Sequence, residues 1–165
     1  MVDELIEIYV ETVGIPLEEA VHIDSFRESL KLFFERAVNL YGRDGLYEAY
    51  TFLVSRLSMA VLSISSLYKG VGDPDETLLE MGRYHELELN NDELYINERH
   101  RRLVEAAIEV EKWLLHSLIN LFKRLREINL VIDPWIVAEK FMLALTPYIG
   151  RIFKEHIEWS SSSTE

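Results

Sequence analysis

"ELYINERHRRLVEAAIEVEKWLLHSLINLFKRLREI", residues 93–128, carries Ile96, His100, Leu103, Ala107, Val110, Leu114, Leu118, Leu121, Leu125 and Ile128 at steps of three and four. That spacing is one face of an α-helix and resembles a heptad seam. Asp92 and Glu93 at its start, and Lys123, Arg124 and Arg126 at its end, complement the helix dipole. At about 1.5 Å per residue such a helix spans about 50 Å, longer than one compact domain of this size needs. The excess seam predicts either a break or a partner.

Beyond it, "INLVIDPWIVAEKF" (128–141) reads as a short turn and a fresh start. Asp133 stands at an N-cap and Pro134 at the first helical position, and Trp135, Ala138 and Phe141 are expected to turn inward. The helix that follows buries Met142, Leu145, Ile149, Ile152 and Phe153 as well. Pro147 lies inside it, where the missing N–H and the ring clash predict a kink. "SSSSTE" at the end has nothing to bury and is expected to be a disordered tail, residues 160–165.

Upstream, Val2, Leu5, Ile6, Tyr9, Val10 and Val13 make a short amphipathic helix stopped by Gly14 and Pro16. Ser25 and Glu28 form a capping box for a helix over 26–41 that Gly42 ends, and Asp44 caps another over about 45–69. "KGVGDPDE" (69–76) reads as a surface loop before a short helix over 76–86. No stretch alternates with period two long enough for a strand, and no repeat is present. The fold expected is all-α: one helical bundle over 1–159, of about five to seven helices, with two long antiparallel C-terminal helices and the last kinked at Pro147.

The chain has 165 residues, 48% of them hydrophobic and 28% charged, enough for one core and too few for two domains. It has no cysteine, which excludes disulfides, thiolate metal sites and thiol nucleophiles. With no glutamine either, and with abundant Glu, Ile and Tyr, the composition leans toward a thermophile. No Lys or Arg precedes Arg27, so the start resembles neither a signal nor a transit peptide, and a cytoplasmic location is expected. The most apolar window, "TFLVSRLSMAVLSISSLY" (51–68), holds Arg56 and five serines and reads as a buried helix rather than a membrane span.

The formal net charge is −12, which disfavours nucleic acid and anionic membrane surfaces. The only basic stretch starts at Arg99, Arg101 and Arg102, and that cluster reads first as a solvated helix face neutralised by Asp92, Glu93, Glu98 and Glu105. Among the five histidines only His22, in Glu19-x-x-His22, has the spacing of a bundle di-metal ligand pair, one where two pairs and two more glutamates are needed. No metal and no cofactor are expected. The scattered glycines make no phosphate loop or dinucleotide fingerprint. Trp113, Leu114, Leu121, Trp135, Phe141, Met142 and Tyr148 are the candidate interface or ligand residues, since aromatics at helical spacing are core or line an apolar pocket.

Three resemblances bear on function. "RLREINLVIDPWIVAEKFMLAL" resembles the end of a TetR-family regulatory domain, and implies a dimer built on the last two helices with an apolar ligand inside. No counterpart of that family's DNA-binding helix-turn-helix precedes Phe26. "GLYEAYTFLVSR" (45–56) and "LALTPYIGRIFKEHIE" are similar to the small helical subunit of type III CRISPR effector complexes. That resemblance implies RNA contact, for which Arg56, Arg99, Arg101, Arg102, Arg124 and Arg151 would have to converge. Arg151 and His156 form R-x-x-x-x-H, which resembles the motif of helical HEPN ribonucleases. With eleven arginines and five histidines about one such match arises by chance, and in one continuous helix the pair points about 140° apart. The reading favoured is a non-catalytic binding module, a homodimer through its C-terminal helices, with an apolar small molecule or a protein as ligand.

Overall fold

The structure is a computed structural model, described over residues 23–68, 72–91, 97–127 and 133–163. The helix expected over residues 2–13, His22 and the Glu19 spacing lie outside the described residues. Five α-helices occupy the described residues, with no strand among them: α1 (Ile23–Tyr41), α2 (Leu46–Tyr68), α3 (Pro74–Leu89), α4 (Glu98–Glu127) and α5 (Pro134–Ser163). A 3₁₀ turn, Arg43–Gly45, joins α1 to α2. The fold is an all-α helical bundle.

Each helix buries one face by the spacing its sequence dictates. In α1 the buried positions are Phe26, Ser29, Leu30, Phe33, Phe34 and Ala37. In α2 they include Leu46, Ala49, Leu53, Leu57, Ala60, Val61 and Ile64. Gly42 closes α1 with φ +77°, a left-handed conformation that favours glycine, and its N–H donates to Val38 O at 2.8 Å. Ser25 sits inside α1, which already starts at Ile23, so the expected Ser25/Glu28 box is not the helix start. Asp44 lies within the 3₁₀ turn instead of at the cap of α2.

Two helices begin with the same Asp-Pro device. Asp133 Oδ1 accepts the Trp135 N–H at 2.9 Å, and Asp73 Oδ1 accepts the Asp75 N–H at 3.0 Å, each followed by a proline that needs no donor at the first helical position. The second case extends α3 to 74–89, beyond the expected 76–86. Asn97 Oδ1 accepts the Arg99 N–H at 2.9 Å where α4 begins. Lys123 meets Asp75 at 2.5 Å, which brings the far part of α4 to the first turn of α3.

α4 lies mainly against α1 and α3, and α5 against α2 and α1. α4 and α5 touch only slightly, so the two long helices are not a close hairpin. The reason is the width of the apolar face of α4. Val104, Ile108, Leu115, Ile119 and Phe122 are buried beside the seam residues Leu103, Ala107, Val110, Leu114, Leu118 and Leu121. A face that broad is covered by α1 on one side and by α3 and α2 on the other, which absorbs the seam within the chain.

α5 runs unbroken through Pro147 and on to Ser163, into the stretch read as a disordered tail. Immediately before the proline, Thr146 Oγ1 donates to Met142 O at 2.7 Å. α5 is tied to the bundle by aromatic rings. Tyr50 stacks on Phe153 at 4.4 Å between centroids, and Phe34 meets Phe153 at 5.6 Å. Among the described residues one helical stretch, Arg43–Tyr68, is long and apolar enough to cross a membrane by length and composition, with mean hydropathy 1.3 in its most apolar window. About a third of that window, 33%, is buried in the chain's own core, and Arg56 within it is paired with Glu88 and Glu111.

Candidate functional site

Arg56 is the one charged residue in the apolar window 51–68 of α2, and a charge in such a helix is stable only beside a partner. α3 and α4 supply two. Arg56 Nη1 and Nη2 donate to Glu88 Oε1 and Oε2, each at 2.6 Å, a two-pronged contact of guanidinium on carboxylate. Arg56 Nε lies against Glu111 Oε1 as an ion pair rather than a directed hydrogen bond. The other oxygen, Glu111 Oε2, accepts from His85 Nε2 at 2.8 Å. Only 3% of the Glu111 side chain is exposed, so this carboxylate depends on Arg56 and His85 in place of water. Burial pulls the Arg56 guanidinium down, but the hydrogen bond to Glu88 and the charges of Glu111 and Glu88 outweigh it and hold Arg56 above its ordinary value.

This network floors an open cleft of about 500 Å³ between α2 and α3. Met59, Ala60 and Leu67 wall it from α2, and Met81 and Tyr84 from α3, with Ser63 and Ser66 on the α2 rim. Met59 is 63% exposed and Tyr84 53%, so the apolar rim faces outward although the floor is charged and closed. The volume falls in the range of small-molecule sites, apolar walls with a few placed polar groups.

The residues singled out by sequence fall elsewhere and apart. Leu114 and Leu121 are core residues, buried under the neighbouring helices. Trp113 lines another hollow, of about 360 Å³, between α1 and α4, with Leu32, Asp24, Glu28 and Glu109. Tyr148 stands on α5, where Phe26 stacks on it at 6.2 Å and Arg27 Nε donates to its hydroxyl at 2.7 Å. That hydrogen bond, with the charges nearby, holds the exposed Arg27 guanidinium above its ordinary value. Tyr148 is not among the residues that line that hollow. Met142 packs at the core edge, and the side chain of Phe141 lies outside what the structure describes. Trp135, expected to turn inward, is 47% exposed, and Val137 takes the buried position instead. The shift follows from the cap. With Asp133 and Pro134 setting the phase of the first turn, Val137 and Ala138 point inward and Trp135 and Ile136 outward.

Arg151 is exposed, with its guanidinium 5.6 Å over the Tyr148 ring. His156 is buried, its ring 5.6 Å from Phe34 and its Nδ1 donating to Ile152 O at 3.1 Å. One unbroken helix carries both, and it does not bring them together within the chain. Arg99 and Arg102 are exposed near the start of α4, whereas Arg101 is half-buried and Arg56 is committed to Glu88 and Glu111. His100 packs edge-on against Phe52 at 5.6 Å. Among the described residues no group of three or more His, Asp or Glu side chains is placed to hold a metal ion.

The cleft was not found by sequence reasoning, because its floor comes from three helices and its charged members fall singly in the sequence. One signal was present: Arg56 standing alone in an apolar helix implies a buried acid somewhere else. No protein-family model matches the chain, and comparison with curated proteins and with solved structures likewise returns no match.

Proposed function

We propose that the chain is a non-catalytic binding module whose working surface is the α2–α3 cleft. The observation that carries this reading is the combination of an exposed apolar rim, Met59 and Tyr84, with a fixed charged floor, Arg56, Glu88, His85 and Glu111. A core helix buries its apolar residues, and a solvated helix face has charges at its rim; this surface has the reverse arrangement. Two methionines among the walls give it an adaptable lining. A chemically mixed set of small amines, acids and neutral aromatics, screened by methyl NMR, tests the reading. Bound compounds are expected to shift the Met59 and Met81 methyl signals before any others. Hits that move only methyls remote from the cleft would remove it as the working surface.

A homodimer through α5 is the second reading, favoured by Trp135 and Ile136, adjacent and 47% and 45% exposed at the start of that helix. It takes over from the α4 seam, of which Leu103, Leu114, Leu118 and Leu121 are covered within the chain. Light scattering after size exclusion is expected to give twice the chain mass for the native protein and the single chain mass for Trp135→Glu. A native protein eluting as a monomer at high concentration removes this reading.

The ribonuclease and RNA-subunit readings draw less support. Arg151 and His156 face different surroundings, and Arg56 is neutralised by two carboxylates.

A further inference from the structure

α2 is the one helix among the described residues whose outer face carries no charge beyond its first turn. Its exposed positions there are Thr51, Ser55, Met59, Leu62, Ser63 and Ser66, and Arg56, the one ion in that stretch, is turned into the floor of the cleft. Every other helix sets acids outward: Glu28 on α1, Glu80 on α3, Glu109 on α4 and Glu155 on α5 are all exposed. Three hydroxyls of α2 are turned back on its own backbone. Thr51 Oγ1 donates to Tyr47 O at 3.1 Å, Ser58 Oγ to Val54 O at 2.9 Å and Ser63 Oγ to Met59 O at 2.9 Å. Donors engaged in this way ask little of water, so covering the face leaves few polar groups unmet.

The far end of this face meets the exposed tryptophan of α5. α5 runs in the direction of α1, since Tyr148 packs on Phe26 and Phe153 on Phe34, and α1 turns back into α2 through Arg43–Gly45. α5 is therefore antiparallel to α2, and Phe153 marks its α2-facing side by stacking on Tyr50. Trp135 stands about five full turns before Phe153 in the same unbroken helix, which returns it to that side about 27 Å farther along. Ser66 stands about 24 Å beyond Tyr50 on α2, so Trp135 borders the end of the uncharged face.

What covers such a face follows from symmetry and charge. In a two-fold contact each surface meets its own copy, so a face that carries acids meets the same acids. Two chains at −12 repel each other, and an anionic membrane surface repels them likewise. A face free of charge is complementary to itself, and among the described helices α2 alone presents one. Resting on the homodimer reading above, we infer that the second copy seats on this face, α2 against α2 across the two-fold axis. The centre of the contact moves from α5 to α2, and Trp135 becomes its margin. Met59 and Leu62, 63% and 45% exposed, supply the apolar contact, and the serines let the two helices approach closely.

The chain has no cysteine, so single cysteines report the contact without background. Ser55→Cys, Leu62→Cys and Ser66→Cys are each oxidised in the full chain with copper phenanthroline. At least one is expected to link two chains by a disulfide, whereas Glu109→Cys on the exposed side of α4 is expected to stay unlinked. Leu62→Glu sets a like charge on both sides of the axis and is expected to weaken the dimer at least about tenfold by light scattering. Raising salt is expected to tighten the native dimer, because it screens the repulsion between two acidic chains and the contact itself holds no ion pair. Should Leu62→Glu lose its helical circular dichroism, the cross-links and the salt response decide. Cysteines of α2 that all stay unlinked in a native dimer, or a native dimer that salt weakens, would overturn the α2 assignment; if Trp135→Glu still dissolves that dimer, the α5 reading stands. A native chain that stays monomeric removes both, and flotation of that monomer with phosphatidylcholine vesicles would give the face to a membrane instead.

Discussion

Arg56→Met is expected to lower the free energy of unfolding by about 3 kcal/mol, read as a shifted urea midpoint at unchanged slope. The methionine fills most of the arginine's stem volume, so the loss is of charge rather than of packing. What it leaves behind is Glu111 with 3% of its side chain exposed, facing Glu88 with no guanidinium between them. Removing one partner from a fully buried ion pair costs about 3 to 5 kcal/mol, and the lower end applies here because water reaches Arg56 and Glu88 in part. Adding Glu111→Gln to Arg56→Met is expected to recover about 1 kcal/mol, since the buried negative charge is then gone as well. A single variant within about 0.5 kcal/mol of the native protein would mean that the network does not hold α2, α3 and α4 together.

Phe34→Ala is expected to cost about 4 kcal/mol, the size of a large-to-small change that leaves a cavity in a packed core. The ring is fully buried on α1, with Phe33 at 5.4 Å, Phe153 at 5.6 Å and His156 at 5.6 Å between centroids. Two of those neighbours belong to α5, so the cavity opens at the seam between the first and last described helices. Leu32→Ala, two residues earlier on the solvent side of α1, serves as the control and is expected to change stability by less than about 0.5 kcal/mol. Thermal and urea unfolding of both variants, measured side by side, separate the two positions. A Phe34→Ala protein as stable as Leu32→Ala would mean that α5 is not packed on α1 as described.

Local chemistry was legible wherever a few neighbouring residues settle it. Asp133 and Pro134 announce a helix start, Gly42 announces an end, and the repeat from Leu103 to Leu121 announces a buried face. The same device was misread at Asp73 and Pro74, where the nearby glycines made a helix start resemble a loop. What a helix packs against is a different matter. Glu111 lies beside the seam and reads as one more solvated acid, yet it is buried because α3 and α2 cover that side of α4. The Arg56–Glu88–Glu111–His85 network is a product of that cover. Its members are spread over three helices, and no spacing within any one of them encodes the meeting. Trp135 shows the converse, an aromatic expected inward from its spacing with Ala138 and Phe141 that is 47% exposed.

The slight contact between α4 and α5 bears on the order in which the molecule can assemble. Consecutive helices that zip into a hairpin close a short loop early and at little entropic cost. Here α5 has scant purchase on its predecessor, and its anchors reach back across nearly the whole chain, as with Arg27 and Tyr148, 121 residues apart. Such long-range closure slows folding, because the chain loses its freedom before the distant contacts form. On the ribosome the apolar faces that α1 and α2 reserve for α5 stay uncovered until that helix has emerged, so the bundle cannot close while only α1 to α4 are outside the exit tunnel.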